Sequence, residues 1–264
     1  MSDNLHEEIV PVEDKKAFIK EYWNDRAEGF ADLRRKEFHS PKYQEWRQEL
    51  IQHIEPVRHE DGRPLRVLDI GCGPGFFSII LSQEGCTCHG IDMSPEMVKV
   101  AQELALEELD STTDDSHHPQ FSIMDCEHMT FPDESFDIVV ARNVMWNLPH
   151  PEEAYKEWLR VLKPGGMLLN FDAEHAKGHH KMSQHQQHAH LGISNDLNER
   201  CHVMYHMLDI SSSDRPRWDQ STLEKLGVGL CQVDTTVGDR IYKNEDIFYI
   251  TASMFSVKAL KAIK

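Results

Sequence analysis

Apolar positions change their period several times along the chain, and each change marks an element. Ala17, Phe18, Tyr22, Trp23, Ala27, Phe30 and Leu33 recur at helical spacing and predict an aromatic-striped helix over 13–37. Ser40-Pro41, a cap followed by a proline at the first helical position, opens a second helix to about Ile54. The turn Glu60 to Pro64 leads into Leu65–Ile70, a short apolar run suited to a buried parallel strand. Phe76–Glu84 reads as a helix ended by Gly85, and Cys86–Asp92 as the next strand. Ser94-Pro95-Glu96 opens a helix to about Asp110, with Met97, Val98, Ala101, Leu104 and Ala105 inward. Asp110–Gln120 is polar and reads as a mobile surface loop. Phe121–Asp125 and Phe136–Ala141 are the third and fourth strands; Pro151–Leu162 is an amphipathic helix stopped by Lys163-Pro164-Gly165-Gly166; Met167–Phe171 is a fifth strand. Residues 173–212 break this rhythm and read as an inserted helical segment lying over a site. Pro216–Gly227 is a helix again, followed by strands within Leu230–Asp239 and Ile247–Val257.

Strands alternating with helices predict an α/β, Rossmann-like, doubly wound sheet. Seven strands are expected, with an antiparallel last strand, N-terminal helices and a helical cap insertion. The expected division is 1–56 for N-terminal helices covering the site, 57–172 for the core, 173–226 for the cap, and 227–264 for C-terminal strands. Ligands of such sheets sit at the carboxyl ends of the strands. Asp69, Asp92, Asp125 and Arg142 all end strands and would line that one edge.

Length and charge narrow the options. The 264 residues carry a net charge of −17, which disfavours a nucleic-acid partner. Arg34-Arg35-Lys36 is the one obvious basic patch and reads as a solvated helix face. The six cysteines form no C-x-x-C pair and read as reduced thiols. The acidic N-terminus lacks the apolar core of a signal peptide, and no apolar run reaches the ~20 residues of a membrane span. A cytoplasmic monomer or homodimer without membrane partners is expected.

The stretch Val67-Leu68-Asp69-Ile70-Gly71-Cys72-Gly73-Pro74-Gly75 carries the clearest chemistry. Gly71, Gly73 and Gly75 allow a ligand to approach the backbone, and the helix start that follows offers free N–H groups. The dinucleotide fingerprint requires G-x-G-x-x-G; here Phe76 occupies the last position. No lysine follows in the P-loop position. The stretch instead resembles the first motif of class I S-adenosylmethionine-dependent methyltransferases. Gly90-Ile91-Asp92-Met93-Ser94-Pro95-Glu96-Met97 is similar to the second motif of that family, Met124-Asp125-Cys126 with Phe131–Asp137 to the third, and Leu159–Gly166 to the helix-ending one. The resemblance covers most of residues 20–172.

The resemblance implies a fold, a methyl-transfer activity, S-adenosylmethionine as cofactor and a small-molecule acceptor. Asp69 would meet the ligand ammonium, and Asp92 would accept both ribose hydroxyls. Met93 and Met97 would pad the adenine, with Asp125 on its amino group and the Cys126 N–H on a ring nitrogen. Gly71, Cys72, Gly73 and Gly75 would form the turn beneath, with Arg142 beside it at the strand edge. Tyr22-Trp23-Asn24-Asp25-Arg26-Ala27-Glu28-Gly29-Phe30 is similar to a segment that folds over the cofactor in small-molecule members. An aromatic from Tyr22, Trp23 or Phe30 would cover the sulfonium at about 0.5–2 kcal/mol, and Arg26 would meet the ligand carboxylate. Core packing is the other reading of Trp23 and Phe30.

On the acceptor side, Ala141–His150 is not an Asn-Pro-Pro-aromatic stretch, which disfavours planar amide or adenine amine acceptors. Asn143 and Trp146 are the expected acceptor-facing residues, and His150 and His175 the candidate bases; capping or loop anchoring explains either histidine equally well. Asn170 and Asp172 are further strand-end candidates. The insert holds His175, His179, His180, His185, His188 and His190, then His202 and His206. His185/His188 and His202/His206 have metal-compatible helical spacing, but no ligand set completes a site and no metal is assigned. A nicotinamide dinucleotide oxidoreductase and a non-catalytic metal- or ligand-binding protein with a histidine-rich cap are the competing functions.

Overall fold

Strand β1 (Arg66–Ile70) lies at the middle of a seven-stranded sheet, and its last four residues are buried. The computed structural model describes residues 14–109, 118–179, 193–244, 246–250 and 252–263. Most of the polar loop at 110–120, and His180, His185, His188 and His190, lie outside the described residues.

β2 (Thr87–Asp92) and β4 (Phe136–Arg142) flank β1 in parallel. β3 (Gln120–Ile123) extends one side and β5 (Leu162–Ala173) the other, both parallel. β7 (Met254–Leu260) then pairs antiparallel with β5, and β6 (Leu230–Asp234) antiparallel with β7, giving the order 3-2-1-4-5-7-6. The expected sheet is therefore present, with its antiparallel end.

Two apolar cores cover the two faces. α2 (Pro41–Ile54) and α3 (Phe76–Gln83) place Trp46, Leu50, Phe77 and Ile80 on one face against Phe171. α5 (Pro151–Val161) and α8 (Arg217–Lys225) place Tyr155, Trp158, Leu159 and Leu223 on the other. α4 (Pro95–Glu108) follows β2 and packs along α1 (Lys15–Phe38) and β3. A third, smaller cluster joins α1 to α7 (Asn195–Met207) through Ile19, Tyr22, Cys201 and Met204. α6 (His175–His179) follows β5 directly. No helix among the described residues is long and apolar enough to cross a membrane.

The C-terminal part departs from its expected outline. Asp234 Oδ1 accepts from the Thr236 N–H (2.7 Å) and hydroxyl (2.6 Å), which ends β6 in a turn. A short α9 (Val237–Ile241) follows, and β7 starts later than the 247–257 pattern implied. The intervening chain carries Tyr242, Phe248 and Ile250 over the strand ends.

Candidate active site

A cleft opens at the carboxyl ends of β1, β2 and β4. Its glycine turn is left-handed at Gly71 (φ +56°) and Gly73 (φ +50°). A Cβ on Gly71 would come within 2.6 Å of a Val144 methyl, so only glycine fits where the two loops meet. Gly71→Ala is expected to cost about 1–3 kcal/mol by urea unfolding, with weaker ligand binding. Phe76 packs on Phe38 with ring centroids 4.6 Å apart, filling the place where a dinucleotide fold has its third glycine.

Asp92 ends β2 at the mouth of this turn. One carboxylate oxygen accepts from the Gly73 N–H (3.0 Å), the other from the Ser94 N–H (2.9 Å). Burial pushes its carboxyl up to about 6, against the pull of these N–H groups. Asp69 lies deeper. Its Oδ2 accepts from the Ser78 N–H (3.0 Å) and hydroxyl (2.7 Å), so its polar contacts tie β1 to α3. Burial pushes Asp69 up to about 7, with Ser78 pulling the other way.

These raised values make stability depend on pH. Asp69 is ordinarily near 3.8, so its contribution is complete below that value and is lost as pH rises through about 7. His175 opposes it: burial and the nearby Arg215 push its imidazole down to about 3, costing stability as pH falls below its ordinary 6.5. The clean measurement is therefore a difference. Asp69→Asn is expected to gain on the order of 2 kcal/mol relative to wild type between about pH 5 and pH 8, read by urea unfolding. A constant difference would show that Asp69 does not ionise in this range.

At the far end, Met93, Met97, Met124 and Cys126 line the cleft with Asp125. Burial alone would raise Asp125, but the Lys16 ammonium and the Glu127 N–H hold it below its ordinary value. Lys16 Nζ lies 2.5 Å from Asp125 and 2.6 Å from Glu127. Asp125, Glu127 and His128 bring ligand atoms within 4.8 Å of one another, but the lysine ammonium already serves both carboxylates. Neither Lys16 nor Glu127 stood out in the sequence. Lys16 directly precedes the aromatic stripe, which begins at Ala17.

Aromatic rings form the opposite wall. Trp23 meets Phe30 at 5.4 Å and Trp146 at 6.3 Å, and Trp146 meets His175 at 5.1 Å and Tyr205 at 5.3 Å. The Trp146 indole N–H donates to the Asn143 carbonyl (2.9 Å), and its backbone N–H to Asp172 (3.1 Å). Asn143 is itself left-handed (φ +58°), which turns the chain sharply out of β4. Its side-chain oxygen lies 3.1 Å from His175 Nε2. Asn170 instead bonds the buried Tyr155 hydroxyl, beneath the site.

Tyr22, Arg26, Gly75 and His150 lie outside the cleft lining, as do Asn170 and Asp172. Tyr22 and Arg26 are buried, within α1: Tyr22 joins the cluster with Cys201, and the Arg26 guanidinium lies 4.7 Å over Phe30. Gly75 underlies α3, where a Cβ would meet Phe121 at 2.9 Å. His150 is mostly exposed, its ring 2.9 Å from the Glu127 carboxylate and anchoring that loop. His175 does line the cleft, where burial and the nearby Arg215 weaken its imidazole as a proton acceptor. Arg34 corrects another expectation: it lines the cleft beside Arg142 instead of sharing a solvated face.

Comparison with known proteins gives this cleft a family. A family model described as a methyltransferase domain matches residues 68–170. A 2-methyl-6-phytyl-1,4-hydroquinone methyltransferase of Synechocystis is 38% identical over 107 residues, 40% of this chain and 31% of that protein. A ubiquinone biosynthesis O-methyltransferase of Pseudomonas entomophila is 34% identical over 39% of this chain and 42% of its own. The chain thus spans under half the length of these curated relatives. A Haemonchus contortus phosphoethanolamine N-methyltransferase 2 structure, with phosphomonomethylethanolamine and S-adenosylhomocysteine, superposes with TM-score 0.64 at 18% identity, over 96% of this chain and 62% of that one. The Synechocystis magnesium protoporphyrin IX methyltransferase with S-adenosylhomocysteine gives 0.60 at 18% identity, over 94% and 100%. Residues 68–170 belong to the methyltransferase domain family, and the chain around them has the fold of the class I S-adenosylmethionine-dependent methyltransferases.

Proposed function

We propose that the protein transfers a methyl group from S-adenosylmethionine to a small-molecule acceptor. The observation that carries this is a single cleft joining the left-handed Gly71/Gly73 turn, the Asp92 carboxylate and an aromatic wall. The donor set fits the cofactor. Asp92 lines the cleft with neutral hydrogen-bond donors as partners, which suits two ribose hydroxyls. Met93, Met97 and Met124 offer a soft surface to a planar base, and Trp23, Phe30 and Trp146 offer π faces to a cationic centre. When bound, the cofactor supplies a methyl group on a sulfonium that leaves readily.

The chain's own work is alignment and water exclusion, worth several kcal/mol in a one-step displacement. Trp146, locked through both its N–H groups, and Asn143, locked against His175, wall the acceptor side. The one imidazole of the cleft among the described residues, His175, is pushed down to about 3 by burial and is a weak proton acceptor, which favours an acceptor that attacks through a free lone pair or gives its proton to solvent. The hydroquinone and ubiquinone-precursor enzymes among the relatives support a small acceptor. The N-terminal helices at 1–56 and the cap at 173–226 belong to the proposal as cofactor cover and acceptor-selecting region. So do a cytoplasmic location, which the six free cysteines fit, and a monomeric or homodimeric state.

Calorimetry with S-adenosylhomocysteine tests the reading. Micromolar binding is expected; none at ~100 µM would end it. Affinity should fall as pH drops through about 6, where Asp92 takes a proton and can no longer accept from both hydroxyls. Label transfer from methyl-labelled cofactor into metabolite fractions would then reveal the acceptor.

A further inference from the structure

We propose that Arg34 and Arg142 form an anion subsite within the cleft, shaped for a carboxylate. The two guanidiniums come from different elements, α1 and the end of β4, and both line the cavity. They share one counter-charge. Glu37, fully buried, pairs with Arg34 through one oxygen and with Arg142 Nη2 through the other, at 3.0 Å. Arg142 also donates to the Tyr242 hydroxyl (3.2 Å), while its buried Nε–H has no partner.

The surroundings are aromatic rather than acidic. The Arg142 guanidinium lies 4.3 Å over Trp46, 5.3 Å over Phe76 and 5.5 Å over Phe77; Arg34 lies 5.7 Å from both Phe30 and Phe76. Lys42, behind Tyr242, is engaged with the Ile241 carbonyl, Glu45 and Asp246. Asp69 is a further acid within Arg142's electrostatic reach, and its hydrogen bonds go to Ser78. Two cations held by one carboxylate leave a positive excess in a poorly solvated place. Burial and the neighbouring Arg142 accordingly push the Arg34 guanidinium well down from its ordinary value. Phe248 and Ile250 wall the same space, excluding water and strengthening its field. A planar anion that accepts from such donors would complete the set.

The anion has two possible sources: an acidic group on the acceptor, or the amino-acid tail of the cofactor. The second rests on the methyltransferase reading, and the two are separable. In one arm, benzoate, phenyl phosphate and neutral benzyl alcohol are titrated onto protein saturated with S-adenosylhomocysteine. In the other, S-adenosylhomocysteine is compared with 5′-methylthioadenosine, which lacks the amino-acid tail. Arg34→Gln should weaken the responsive anion tenfold or more, and Glu37→Gln, which removes the shared counter-charge, should tighten it severalfold. Loss of benzoate or phenyl phosphate binding in Arg34→Gln assigns the subsite to an acidic acceptor. Weakened S-adenosylhomocysteine with unchanged 5′-methylthioadenosine assigns it to the cofactor tail. If neither variant changes either class of affinity, the subsite is refuted. Should Arg34→Gln fail to fold, Glu37→Gln and Arg34→Lys carry the same comparison. If S-adenosylhomocysteine does not bind wild type, the methyltransferase reading falls, while benzoate titrated onto the unliganded protein still tests the arginine pair.

Discussion

Replacing Asp92 with alanine is expected to weaken S-adenosylhomocysteine binding by about a hundredfold or more. Each hydrogen bond to a charged acceptor is worth about 1.5–3 kcal/mol, and two ribose hydroxyls would lose theirs. The sum, about 3–6 kcal/mol, is about two to four decades of affinity. The Gly73 and Ser94 N–H groups lose their acceptor as well, so the turn itself loosens. Asp92→Asn keeps the shape and one acceptor, and should fall between alanine and wild type. Calorimetry gives the affinities, and near-UV circular dichroism checks that the fold survives. An alanine variant within threefold of wild type would remove Asp92 from the site.

The largest stability effect is expected at Arg215, just before α8. Its guanidinium donates to Asp172 (2.9 Å) and to both oxygens of Asp219 (2.8 and 2.9 Å), with all three side chains almost completely buried. Asp219 also accepts from the Tyr155 hydroxyl (2.6 Å). Arg215→Met leaves two carboxylates buried without a cation and should cost about 3–5 kcal/mol in urea unfolding. Adding Asp172→Asn and Asp219→Asn to it should restore much of that loss, because unpaired charge is what destabilises. A single-variant loss below about 1 kcal/mol would mean that water reaches these carboxylates. Asp172 also holds the Trp146 N–H, so the damage should extend to the aromatic wall of the cleft.

These two residues differ in how visible they were. Asp92 ends a predicted strand and precedes a Ser-Pro cap, a local pattern that a sequence displays directly. Arg215 sits in a polar stretch, and nothing near it signals that its partners lie at positions 172 and 219. The same contrast holds across the cleft. Gly71, Gly73, Met93, Met97 and Asp125 belong to short motifs whose spacing places them at strand ends. Lys16, Glu127, Tyr205, Tyr242, Phe248 and Ile250 reach the cleft only because separate helices and loops fold onto the same edge. Arg26 and Arg34 show the limit most clearly. They lie on one helix, eight positions apart, and the sequence favoured Arg26 for a ligand carboxylate. Packing turned Arg26 toward Phe30 and brought Arg34 beside Arg142.

The sequence by itself determined the strand–helix alternation, the parallel sheet with its antiparallel end, and the glycine turn with its acidic neighbours. All of these follow from periodicity, caps and backbone freedom within a few residues. Only the tertiary structure decided which histidine faces the cleft and that burial lowers its basicity. It also decided which arginines share a single carboxylate, and which C-terminal rings cover them. Those properties depend on burial and on partners far away in the chain, and a linear pattern carries neither.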